Sequence, residues 1–238
     1  MKAMILAAGL GSRLKPLTDK IPKALVEIEG VPMLERVILK LRSQGFDNIM
    51  VNVHHFADQI RDFLTSREFN VEISISDESD ELLDTGGGIV KASNLLFSKD
   101  LSPVLIHNVD ILSNADLRKL IGEKTNLLVS DRESSRRLLF DREMKLWGWH
   151  NLTTGEYRPC KPQEGMEIKG YAFSGIYSLT YESVEEMKRL EGEGKFPVMD
   201  YFLDDRREET IEGIFDPNLK LIDIGKPATL SQASQFIY

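Results

Sequence analysis

A six-residue apolar run, Ala3-Met4-Ile5-Leu6-Ala7-Ala8, passes directly into a loop containing Gly9, Gly11, Ser12 and Arg13, and then Pro16, Thr18, Pro22 and Lys23. The run reads as a buried strand, and closely spaced glycines at its end permit a tight turn at the top of a sheet. Backbone N–H groups left free in such a turn face an anion, and two cations reinforce it: Arg13 with a planar donor fork, Lys23 with a point charge. The guest that suits this loop is a phosphate. Leu14 replaces the third glycine of a dinucleotide fingerprint, and no Gly-Lys-Ser/Thr of a Walker loop follows, so the phosphate chemistry is of another kind.

Apolar runs and helix-spaced apolar residues alternate along the 238 residues. Leu34, Val37, Ile38 and Leu41 recur at helical spacing up to Gly45, a C-cap candidate; Asn48-Ile49-Met50-Val51-Asn52-Val53 follows as a strand. Phe56, Ile60, Phe63 and Leu64 mark a second helix, Val71, Ile73 and Ile75 a half-exposed strand, and Ile89, Ala92 and Leu96 a third helix approached through a glycine-rich loop. Strands are expected at Val104–His107, at Leu127–Val129, at Tyr171–Tyr177 and at 219–225, with a helix through Val184, Met187 and Leu190 and another at the end of the chain. Between Arg136 and Tyr157 the pattern changes to antiparallel hairpins. The predicted fold is α/β: a Rossmann-like, mostly parallel sheet with helices on both faces and a small β-rich insertion at 136–178, all within one domain over 1–238.

Composition narrows the partners. A formal net charge of −8, with 42% hydrophobic and 29% charged residues, argues against a nucleic-acid surface or an anionic membrane and makes the basic first loop a local feature for a small anion. Cys160 is alone, which excludes an intrachain disulfide, and the first apolar run is too short for a signal segment or a membrane span, so the cytoplasm is the expected compartment. Oligomeric state is not legible.

Two acids follow apolar strands. Asp110 closes Val104-Leu105-Ile106-His107-Asn108-Val109-Asp110, which delivers it to the carboxyl edge of the sheet, where α/β folds bind ligands; Asp223 ends a second run in Ile222-Asp223-Ile224-Gly225-Lys226-Pro227. Two carboxylates suit one Mg²⁺ that also takes phosphate oxygens and water. His54-His55 has no further nitrogen or thiolate at zinc spacing and reads as rim or core hydrogen bonding. Trp147 and Trp149 read as cross-strand packing, and Arg206-Arg207, among Asp204, Asp205, Glu208 and Glu209, as a solvated mixed-charge surface.

The first loop matches G-x-G-[ST]-R-L-x-P-x-T-x-x-x-P-K at every specified position, and on that pattern the chain resembles the sugar-1-phosphate nucleotidylyltransferases. The resemblance implies transfer of a nucleoside monophosphate from a nucleoside triphosphate to a sugar 1-phosphate, with release of pyrophosphate and with Mg²⁺ as cofactor. It assigns Arg13, Lys23, Asp110 and Asp223 to catalysis, the two acids also to the metal. It assigns Leu6, Ala8, Gly9, Gly11, Ser12, Thr85, Gly86, Gly87 and Asn108 to the nucleotide, and Lys161, Phe173 and Gly175 to the sugar phosphate. Asp84-Thr85-Gly86-Gly87-Gly88-Ile89 resembles the nucleobase loop of the uridylyl-transferring muramate branch, which implies UTP and N-acetylmuramic acid 1-phosphate. Guanylyl or cytidylyl transfer to mannose or heptose 1-phosphate or to phosphocholine, and a non-catalytic nucleotide-sugar-binding protein, are the alternatives. Two departures stand out: Val109 where many relatives carry glycine, and Cys160-Lys161-Pro162 where they carry Glu-Lys-Pro.

Overall fold

The first apolar run folds as β1 (Lys2–Leu6), buried at every residue. Its side chains alternate, Ala3 and Ile5 into one core cluster and Met4 and Leu6 into another. Burial on both faces is what a central strand with helices above and below requires. The structure is a computed structural model, and it describes residues 1–233.

After the loop, a small hairpin of β2 (Glu27–Ile28) and β3 (Val31–Pro32) leads into helix α1 (Met33–Ser43). The expected residues Leu34, Val37, Ile38 and Leu41 face the first core, and the chain leaves the helix through Gly45 at φ 85°. Strand β4 (Asn48–Val53), helix α2 (Ala57–Thr65) and strand β5 (Glu72–Asp77) follow, then helix α3 (Asp84–Leu96) and strand β6 (Val104–Asn108). β1 pairs in parallel with β4 and β6, and β4 with β5, giving the order β6-β1-β4-β5. Helices α1 and α2 cover the face of Ala3 and Ile5, while α3 covers that of Met4 and Leu6.

The second half widens this sheet with antiparallel strands. After β7 (Ile111–Ser113) come β8 (Thr125–Ser130), β9 (Arg136–Phe140), β10 (Leu146–Asn151), β11 (Tyr157–Arg158) and the long β12 (Lys169–Leu179). β12 lies antiparallel to β6, β8 and β9 and so joins the hairpin strands β9, β10 and β11 to the parallel part. Helices α4 (Tyr181–Glu191) and α5 (Val198–Phe202) pack on the α3 side; β13 (Ile211–Phe215) extends β8 in parallel; β14 (Leu221–Asp223) and α6 (Pro227–Ala233) close the described chain. The expected α/β architecture, with a large, mostly parallel central sheet and helices on both faces, is present.

Four expectations change. The glycine segment after Leu83 is no loop: it forms the first turn of α3, because Gly86 and Gly87 N–H groups both donate to the Phe196 carbonyl, at 3.0 and 3.2 Å. Phe56 lies outside α2, in a left-handed cap at φ 55°. The run at 219–225 shortens to β14, which pairs antiparallel with β7 outside the main sheet, since Leu219 is drawn into a turn on the Asp216 carbonyl. The Arg206-Arg207 region is only partly a solvated surface. Glu209 accepts hydrogen bonds from Ser183, Tyr201 and Thr125, and burial pulls the Arg207 guanidinium below its usual value.

Candidate active site

The loop after β1 turns on Gly11, whose φ of 65° is costly for any residue with a side chain. A Cβ there would also stand 2.8 Å from the Thr18 methyl and 3.0 Å from Lys23 Cβ. Gly11 closes the turn with its carbonyl, which accepts from Leu14 N–H and from the Thr18 hydroxyl, both at 2.8 Å. Thr18 thereby fixes the path that brings Lys23 back toward β1.

Lys23 reaches Asp110 and forms an ion pair with it; both side chains are only 13% exposed. Asp110 stands just beyond β6, and its carbonyl accepts the Ile224 N–H at 2.8 Å. Asp223 faces Ile111, the residue after Asp110, across the β7–β14 pair, so the backbones of the two acids are neighbours. Arg13 and Asp223 both approach Gly225: the point where its Cβ would stand is 2.8 Å from Asp223 Oδ1 and 2.9 Å from an Arg13 guanidinium nitrogen. Lys23 is thus paired with Asp110, whereas Arg13 and Asp223 approach the same glycine without forming an ion pair.

A cavity of about 270 Å³ opens beside Lys23 and Asp110, walled by Leu6, Ala8, Gly9, Asn108, Asp84 and Thr85; Arg13 and Asp223 do not line it. Nothing lies within 4 Å of where a Gly9 side chain would begin, so this part of the loop faces open space. Gly175, at φ 78°, lets the Asn108 amide lie against β12, where a Cβ would stand 2.8 Å from Asn108 Nδ2. Ser12 and Arg13 are exposed at the loop's edge. The Thr85 hydroxyl accepts from Val198 N–H at 2.8 Å and so ties α3 to α5.

The structure does not gather every expected residue here. Lys161 lies on the exposed loop after β11 and lines neither this cavity nor its neighbour. Phe173 lines a separate pocket on the far side of β12 and packs edge-on against Phe202. The N–H groups of Gly86 and Gly87 are spent on Phe196, which leaves Asp84 and Thr85 as the parts of that segment that reach the cavity.

Two residues that sequence reasoning missed hold the first loop in place. Asn52, buried on β4, accepts Ala7 N–H at 2.6 Å and Ala8 N–H at 3.3 Å through its side-chain oxygen, and its amide donates to Glu78 at 2.7 Å. Glu78 is fully buried and takes a second hydrogen bond from Leu83 N–H at 3.2 Å; burial raises its pKa above the usual carboxylate value against the pull of these donors. His54 meets the Glu78 carbonyl at 2.6 Å, the hydrogen-bonding role expected for it. A polar residue inside an apolar strand was the one signal in the sequence, and it names no partner. Asn52→Ala leaves two buried N–H groups and one carboxylate oxygen unsatisfied, so it should lower stability by about 2 kcal/mol, read as a smaller urea midpoint at unchanged m-value.

The match of residues 2–127 to the family model for nucleotidyl transferases, more than half of the chain, decides the family. The chain belongs to the nucleotidyltransferase family. The chain is 43% identical over 111 residues to an N-acetylmuramate alpha-1-phosphate uridylyltransferase of Caulobacter vibrioides, a stretch that covers 45% of each chain. It is 32% identical over 211 residues to mannose-1-phosphate guanylyltransferase 1 of Arabidopsis thaliana, covering 75% of this chain and 58% of that one. The chain therefore spans about half the length of the curated relatives it matches. Among solved structures, HddC from Yersinia pseudotuberculosis, in complex with GMP-PN, superimposes with a TM-score of 0.76 at 24% identity over 99% of this chain and 98% of that one, which shows the shared fold.

The donor set of this family member suits magnesium. Asp110 and Asp223 offer hard carboxylate oxygens from adjacent segments, a donor type that fits Mg²⁺, which takes one or two protein carboxylates with phosphate oxygens and water.

Proposed function

We propose that the protein transfers a uridylyl group from UTP to N-acetylmuramic acid 1-phosphate and releases pyrophosphate. The observation that carries the reading is the pairing of Lys23 with Asp110 beside the β1 loop, in a cavity bounded by loop backbone and by Asn108. The identity to the Caulobacter uridylyltransferase supports this choice of base and sugar.

In this reading the 1-phosphate oxygen attacks the α-phosphorus in line: one P–O bond forms, the bond to the bridging oxygen breaks, and pyrophosphate leaves with the electron pair. The phosphate monoester has a second pKa of about 6, so the nucleophile is already ionised at neutral pH and needs no general base. Positioning and charge neutralisation supply the rate. The backbone at Gly9 and beyond faces the triphosphate, and Lys23 holds Asp110 in place while adding positive charge to the cavity. Arg13, at the loop's edge, grips the departing pyrophosphate with two parallel donors. Asp110 and Asp223 would hold Mg²⁺, which supplies charge neutralisation at the reacting phosphates when bound.

Pyrophosphate release measured across four nucleoside triphosphates and a set of sugar 1-phosphates tests the reading. UTP with N-acetylmuramic acid 1-phosphate should give the highest kcat/KM; a preference for GTP with mannose 1-phosphate overturns the base and sugar while keeping the reaction class. Arg13→Lys should lower kcat about tenfold to a hundredfold although the charge is kept, because an ammonium cannot form the two-pronged contact. Unchanged kcat in that variant removes Arg13 from the leaving-group site.

A further inference from the structure

A second pocket of about 510 Å³ lies on the far side of β12, between the hairpin strands β9 to β11 and α5. Its wall carries three arginines, Arg132, Arg136 and Arg158, with the half-buried rings of Trp149 and Phe173 beside them. Their charges are not equally compensated. Arg158 is paired with Asp200 at 3.2 Å, whereas Arg132 and Arg136 have no carboxylate within ion-pair distance among the described residues. Two guanidinium groups outside any ion pair among the described residues, on one pocket, are a local exception in a chain of net charge −8.

Arg132 is pinned rather than loose: it donates to the Phe173 carbonyl at 2.7 Å and to the Glu133 carbonyl at 3.5 Å, which spends two of its five N–H donors and leaves three. The Arg136 side chain has no hydrogen bond among the described residues, while its backbone is fixed by Ser134, whose hydroxyl donates to the Arg136 carbonyl at 2.8 Å. The pocket is also next to the candidate active site. Phe173 is two residues from Gly175, which abuts Asn108 of the main cavity, and Arg132 feels the charge of Asp223.

We propose that this pocket makes the enzyme selective for an acidic sugar, with Arg132 and Arg136 binding a carboxylate that the sugar carries in addition to its 1-phosphate. The inference rests on the reading of the protein as a sugar-1-phosphate nucleotidyltransferase, and it names the feature of the sugar that is read. Lys23 and Arg13 already serve the phosphates at the β1 loop, so the two arginines beyond β12 are left for a different anion. A guanidinium fork matches a carboxylate with two parallel hydrogen bonds, and Trp149 and Phe173 offer apolar surface to the C–H face of the ring.

The test compares N-acetylmuramic acid 1-phosphate with N-acetylglucosamine 1-phosphate, which differ by the lactyl ether and its carboxylate. The wild type should favour the acidic sugar at least tenfold in kcat/KM. Arg132→Gln and Arg136→Gln should each cut that ratio about tenfold or more, mainly through KM, and the ratio cancels any loss common to both sugars, such as one from the nearness of Arg132 to Asp223. An unchanged ratio overturns the inference, as does an equal loss on both sugars, since the arginines would then grip the shared 1-phosphate. Calorimetric binding of both sugar phosphates without nucleotide separates the two claims. Carboxylate-dependent binding that the variants weaken, with no transfer from UTP, upholds the pocket and removes the uridylyl reading. Transfer from UTP to both sugars alike does the reverse.

Discussion

Asp223→Asn should lower kcat by about a thousandfold while the melting temperature moves by less than about 2 °C. A thousandfold is about 4 kcal/mol of transition-state stabilisation, within the several kcal/mol that a metal-held phosphoryl site contributes. The small thermal change follows from position: Asp223 is exposed at the end of a short strand, and its side chain enters no ion pair among the described residues, so the fold loses little with its charge. Asp110→Asn gives the necessary contrast. It should lose as much turnover but also strand Lys23, which is mostly buried, at a cost of about 1–3 kcal/mol in stability. Kinetics with saturating UTP, together with thermal melts and Mn²⁺ affinity of both variants, decide the matter. Full activity in Asp223→Asn sinks the two-carboxylate site, and equal thermal losses in the two variants sink the claim that only Asp110 is structurally tied.

The difference between the two acids marks how far the sequence could be read. Both stood out because an apolar run ended on a carboxylate, a local signal, and the topology does bring their strands side by side as β7 and β14. That Asp110 is already paired with Lys23 was not legible, since the pair joins residues 87 positions apart and depends on how Thr18 and Gly11 turn the loop. Asn52 and Glu78 escaped for the same reason. Asn52 is one polar residue in a strand and Glu78 one acid just past another, until β4 and β5 lie in register, which lets Asn52 reach Ala7 and Ala8 and brings Glu78 to Asn52. Periodicity located β1, α1, β4 and α4 because their burial is set by local alternation, whereas β14 shortened because a turn at Asp216 competed for its first residue. The acidic and basic cluster near Arg206 misled in the opposite direction. Charge in sequence reads as solvated surface, yet Tyr201, Ser183 and Thr125 supply enough donors to keep Glu209 bound in a partly buried network.

Gly87→Ala should destabilise the protein by about 3 kcal/mol, a drop in melting temperature of roughly 6–12 °C for a chain of this size. Two effects oppose each other at this position. Gly87 lies in the first turn of α3, where alanine is the better helix former by up to about 1 kcal/mol, so propensity alone makes the substitution stabilising. Space decides otherwise. A Cβ on Gly87 would stand 2.2 Å from the Gly194 carbonyl oxygen, a backbone atom that cannot swing aside as a side-chain end could. Making room means moving the 194–196 segment, which carries the Phe196 carbonyl that accepts from Gly86 and Gly87 N–H, and Phe196 itself, whose ring occupies the space beside Gly86. The same displacement pulls on Val198, which is tied to the Thr85 hydroxyl, and so on the part of α3 that walls the main cavity. The variant should therefore lose kcat/KM for the nucleotide as well as stability. Alanine at position 87 with a raised melting temperature and full activity would mean that the glycine run is a loose, ligand-facing loop, the conformation its sequence suggested; a lowered one shows that the glycines are there because α3 and the chain before α5 share a space too narrow for any side chain.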